Sequence, residues 1–194
     1  MEHLRQFQFL FRITRSRNIA RRYFVVNGFD GALTMLGMIT GFYIGGETTP
    51  EVMVSACLGA AIALGMSGIS SAYVSEVAER RRELRGLELA MVTDLADAAH
   101  GRAARLVPFV IALINGLAPL FIALIIICPL WLSSRIPDLP IEPLKSAISL
   151  AFMIIFLLGI LLGKISGTFW LLSGLRTLLI GVTTCLIIFL LSPG

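Results

Sequence analysis

Asp30 is an acid placed inside the apolar run 27–45, NGFDGALTMLGMITGFYIG, which is long enough to cross a bilayer. A carboxylate at the centre of a membrane helix costs about 2.5–3.5 kcal/mol on insertion scales, so it is normally paired or functional. Residues three and four apart share a helical face. That spacing puts Asp30, Thr34, Gly37, Gly41 and Gly45 in one stripe: an acid, a hydroxyl and three glycines. Asn27, Gly28 and Gly31 add an amide and accessible backbone beside the acid. Two readings are open. Asp30 is a protonated acid hydrogen-bonded to a neighbouring helix, or it is a cation or proton site on a transport path. The glycines allow a second helix, a symmetry mate included, to approach closely. Two such carboxylates facing each other across a dimer axis would bind a divalent cation or titrate near neutral pH.

Other residues could share that chemistry. Met66 lies on a face of the second apolar run with Ser55, Gly59, Ser70 and Tyr73. It is either packing or a thioether ligand opposite the acid, and soft sulfur separates ferrous iron from magnesium or calcium. Met35 and Met38 fall off the Asp30 stripe. Glu76, Glu79 and Glu83 recur at helical steps, interleaved with Arg80, Arg81, Arg82 and Arg85. They form a metal-collecting face or a solvated, salt-bridged one. Beyond Gly86 come Glu88, Met91, Asp94, Asp97 and His100, and Asp97-x-x-His100 is spaced like the Glu-x-x-His of carboxylate-bridged iron sites. The chain has no GxSxG, no glycine-rich phosphate loop and only two histidines, His3 and His100, so no enzyme is expected.

The elements that must hold these residues are membrane helices. Of 194 residues 57% are hydrophobic and only 14% charged, against about 25% charged in ordinary soluble domains. The charges cluster between long apolar runs, the pattern of a multi-pass integral membrane protein with an all-α fold. Residues 1–22 mix phenylalanines with six arginines and read as a basic interfacial helix on anionic lipid. No cleavable signal peptide is evident there. Spans are expected at 23–45, 52–75, 106–132, 144–163 and 169–191, with a cytoplasmic helical segment at 76–105 that breaks near Gly86. Cys57, Cys128 and Cys185 each fall in a span without CxxC spacing and read as small apolar residues.

Five spans put the termini on opposite sides. With the N-terminus inside, fourteen of the sixteen lysines and arginines lie on internal segments, and only Arg135 and Lys145 lie outside. The positive-inside rule therefore places the N-terminus and residues 76–105 in the cytoplasm. This topology accounts for the net charge of +4 without nucleic acid. The host membrane is a cell membrane in a prokaryote, or a vacuolar or other organelle membrane in a eukaryote.

Three segments together resemble the vacuolar iron transporter family: FDGALTMLGMITGFYIGG, GAAIALGMSGISSAYVSEVAERRREL and LLGKISGTFWLLSGLRTLLIGVTT. The resemblance covers roughly residues 23–191. It implies a homodimer whose first spans line a path at the two-fold axis. It also implies that ferrous iron, with manganese second, leaves the cytosol in exchange for protons, with no organic cofactor. Asp30 matches the family's first-span aspartate, and Glu76 or Glu79 the start of its acidic metal-collecting helices. The sequence departs from the family in three places. Phe29 stands where the family has Asn, and Gly68 and Ala72 stand where it has a Met and a Glu. Met66 is two residues from Gly68 and so points about 160° away on a helix. The cytoplasmic segment is also much shorter than the family's metal-binding domain. The alternative is a membrane module that does not transport, whose acidic helices bind metal or a partner protein.

Overall fold

In a computed structural model, residues 16–46, 48–93, 99–136 and 142–192 are described, and their regular structure is entirely helical. Five helices follow in order: α1 Ser16–Gly45, α2 Pro50–Met91, α3 Ala99–Arg135, α4 Pro143–Ser166 and α5 Trp170–Leu191. All five are long and apolar enough to cross a membrane. Their outward faces agree with that. Leu175, Leu179, Val182, Leu186 and Phe189 of α5 are all exposed, an unbroken apolar face that an isolated protein in water does not carry.

Several boundaries differ from the sequence expectation; α3 begins at Ala99 rather than 106, so residues 99–105 of the expected cytoplasmic segment belong to it. Residues 16–22, read as part of a surface helix, continue α1 without interruption, and residues 1–15 lie outside the described residues. The break expected near Gly86 is absent: α2 runs through it to Met91. One exposed glycine costs a helix only about 1 kcal/mol against alanine, and the Glu, Arg, Leu and Ala around Gly86 outweigh that. The stop comes at Val92, which takes a left-handed backbone with φ 50° and returns its N–H to the Glu88 carbonyl. The helix also begins two residues before the expected 52, because Pro50 suits the first turn and Glu51 favours the positive end of the helix dipole.

Helix α3 is the central element. It packs against α2 most extensively, then against α1 and α4, while α5 packs mainly on α4. Consecutive α1 and α2 touch each other least of the packed pairs. Small residues set the crossings. A Cβ on Gly116 of α3 would collide with the Gly65 carbonyl and Ile69 of α2, and one on Gly31 of α1 would come within 2.7 Å of the Pro119 backbone of α3. On the other side, Gly159 of α4 faces Gly174 and Thr177 of α5, and the buried Thr177 hydroxyl lies 2.8 Å from the Gly174 carbonyl and 3.1 Å from that of Ile155. Without a hydrophobic force between helices in lipid, such close backbone approach supplies much of the association. Behind the crossings, Met35, Leu36, Ile39, Ile126 and Ile155 fill a core from which solvent and lipid are fully excluded.

Glycine positions should therefore divide sharply. Gly116→Ala is expected to destabilise the protein by about 1–3 kcal/mol through overpacking. Gly59→Ala, where nothing lies within 4 Å of the added carbon, should be neutral or slightly stabilising. Unfolding by SDS from mixed micelles measures both, and equal effects would contradict the crossing.

Candidate functional site

The polar residues of α1 occupy one lane: Tyr23, Asn27, Asp30 and Thr34, at steps of four, three and four. The first two are tied to other helices. Asn27 donates one amide hydrogen to the Tyr23 carbonyl at 2.9 Å and the other, in a short bond, to the Asn115 side-chain carbonyl. Asn115, only 6% exposed, donates in turn to the Gly68 carbonyl of α2 at 2.8 Å. One amide pair, Asn115 buried and Asn27 half-buried, thus joins α1, α3 and α2. Gly68 has to be small here, since a Cβ would come within 3.3 Å of the Asn115 amide and 3.1 Å of Gly116. Pro119 lacks the N–H that would have bonded the Asn115 main-chain carbonyl, which leaves that oxygen without its ordinary helical partner.

Tyr23 lies one turn before Asn27. Its hydroxyl donates to Glu76 Oε1 of α2 at 3.4 Å. Tyr23 and Asp30 are seven residues apart, which is two turns. Asp30 accordingly lies on the same face of α1 as Tyr23. Its carboxylate is exposed and has no hydrogen-bond or ion-pair partner among the described residues. Thr34 does not fill that role, because its hydroxyl donates to the Asp30 main-chain carbonyl at 2.8 Å. Further along the stripe, Gly37 would make only ordinary contact with Ile188 of α5, and Gly41 and Gly45 have nothing within 4 Å. That part of α1 is open.

The remaining candidates scatter. Met66 is 58% exposed, while its helix turns Gly65 and Gly68 toward α3. Glu76 and Glu83 are both engaged by Arg80, at 3.6 and 2.8 Å, and Glu79 is exposed. Glu76, Arg80 and Glu83 are in ion-pair contact but are not a solvated set, since Glu76 and Arg80 are buried. Asp94 and Asp97 lie outside the described residues, as does the His100 side chain. Among the described residues no three His, Cys, Asp or Glu side chains gather closely enough to hold a metal ion. A cation at Asp30 would therefore take its other oxygens from backbone, from water or from a second copy of the chain.

Sequence reasoning passed over Asn115 as a bridge and Arg80 as a buried charge. A signal for the first was present: an amide at mid-span in α3 needs a partner, and Asn27 is the matching amide in α1.

No family model matches the chain, and no solved structure matches it. It is 27% identical over 176 residues to the uncharacterized protein MJ0645 of Methanocaldococcus jannaschii, an alignment covering 89% of this chain and 88% of that protein.

The amide bridge is open to direct test. Asn115→Leu leaves the Asn27 amide and the Gly68 carbonyl without their partner, and should cost roughly 0.6–2 kcal/mol in a membrane-mimetic unfolding titration. An unchanged unfolding midpoint would show that Asn115 does not join the helices.

Proposed function

We propose that the protein is a homodimeric divalent-metal transporter of the vacuolar iron transporter type. It moves ferrous iron first, and manganese second, out of the cytosol in exchange for protons, with its N-terminus cytoplasmic. The observation that carries this reading is the state of Asp30. An acid satisfied by a neighbouring helix was the simplest non-transporting explanation, and its carboxylate has no such partner among the described residues. An ionisable side chain on a membrane helix is by default a functional group, and this one lies beside a lane of polar residues and open glycine backbone. In the dimer, the open stretch at Gly41 and Gly45 receives the partner's first helix and brings two Asp30 carboxylates toward one axis. A carboxylate binds metal only when ionised, so metal and proton compete for the same oxygens and an opposing proton gradient can drive release.

A second reading has its own support. At 1.5 Å per residue the 42 residues of α2 span about 63 Å, twice the hydrocarbon core of roughly 30 Å. Much of α2 therefore stands outside the membrane, carrying exposed Glu79, Leu89 and Met91. A membrane module that binds metal or a partner there, without transport, would use that projection.

Proteoliposomes under an imposed pH gradient separate the two. The transporter reading expects ferrous iron uptake that falls by about tenfold or more in Asp30→Ala. Wild-type uptake by Asp30→Ala refutes it. Metal retained by purified protein, with no flux of any divalent ion, establishes the second reading.

A further inference from the structure

Glu76 and Arg80 are the only charged side chains buried among the described residues, at 8% and 7% exposure. They sit where α2 passes the Tyr23 end of α1. Burying an ion pair is costly unless its geometry is good and its remaining valences are met. Here they are not. The Tyr23 hydroxyl reaches Glu76 Oε1 at 3.4 Å, and Arg80 Nε stands 3.6 Å from Glu76 Oε2, both beyond the usual hydrogen-bond range. Nε itself is sealed from solvent without a hydrogen-bond acceptor. The same guanidinium makes its good bond elsewhere, from Nη1 to Glu83 Oε2 at 2.8 Å, and the Glu83 side chain is half exposed. Arg80 is thus divided between a buried carboxylate held loosely and an exposed one held well.

We propose that Arg80 is a tethered counter-cation closing the seam between α1 and α2, and that its full withdrawal onto Glu83, which it already holds, releases Glu76 to pass the transported cation or proton toward Asp30. The inference rests on the transporter reading above and adds a second carboxylate to it. Three features support the assignment. The long Tyr23 contact, 3.4 Å, sets Glu76 beside the face of α1 that carries Asp30 two turns on. Helices α1 and α2 share the least contact of the packed pairs, so their seam can part without dismantling the core. The exchange also conserves charge, because Glu76 gives up one cation as it takes another, and Arg80 keeps an anion throughout. Glu76 acts here as a relay and Arg80 as a positioning residue.

The competing explanation is a rigid ion pair that only fastens α2. Ferrous iron flux in proteoliposomes and thermal unfolding in detergent, measured on the full chain, distinguish the two. Glu76→Gln is expected to lower flux about tenfold or more. The double variant Glu76→Gln/Arg80→Gln removes both buried charges, so its melting temperature returns toward wild type while its flux stays low. Recovery of flux together with stability in the double variant overturns the relay. Should the Glu76 variants not fold, Tyr23→Phe decides. Loss of that one hydroxyl lowers flux about threefold at an unchanged melting temperature if the relay operates, and unaltered flux rejects it. A wild-type protein with no flux of any metal fails at the transporter reading itself, an outcome separate from any contrast among variants.

Discussion

In hydrocarbon a polar side chain without a partner costs several kcal/mol, so a membrane helix pairs its polar groups or uses them. Along the lane on α1 that rule applies residue by residue. Tyr23 finds Glu76, and Asn27 finds Asn115 and through it the Gly68 carbonyl. Asp30 finds nothing within the chain among the described residues. The rest of the arrangement keeps the lane in place. α3 sits between its neighbours, its Gly116 and Pro119 pressed against Gly65 of α2 and Gly31 of α1, so the helix backbones fix where the amide bridge and the acid stand.

This division of labour also explains the weak direct contact between α1 and α2. Both helices are anchored to α3, and their mutual seam is left to a few polar contacts: a hydroxyl on a carboxylate, and an arginine shared between two acids. Tight, small-residue crossings resist rearrangement because a packed interface has few alternative arrangements. Long polar contacts are the more easily exchanged, since a rotated side chain can trade one oxygen for another. A transport cycle in this molecule would accordingly work at the seam rather than at the α2–α3 or α4–α5 crossings.

The helices were legible because the apolar runs are long and the charges lie between them, so 144–163 and 169–191 fall within a residue or two of Pro143–Ser166 and Trp170–Leu191 at most of their ends. The stop of α2 was not, because a single glycine is a conspicuous letter but a small energy, and the neighbours of Gly86 are good helix formers. At the site, spacing alone put Asp30 and Thr34 on one stripe with Asn27 beside them, but it did not single out Tyr23. What spacing could not supply was tertiary: that Asn27 is taken by Asn115, that Arg80 is buried against Glu76, and that Met66 is largely exposed. Gly68 shows why. Set against the pattern of the family the sequence resembles, which has methionine at that place, it reads as a lost ligand, yet in the structure its missing side chain makes room for the Asn115 amide.

The central claim is that Asp30 is a free carboxylate kept for a cation. Infrared difference spectroscopy on purified protein, recorded as manganous ion is added, addresses it without requiring flux. The account predicts a carboxylate band shift on binding that disappears in Asp30→Asn, accompanied by proton release into a weakly buffered medium that is lost in the same variant. A band shift and proton release that persist unchanged in Asp30→Asn would contradict it.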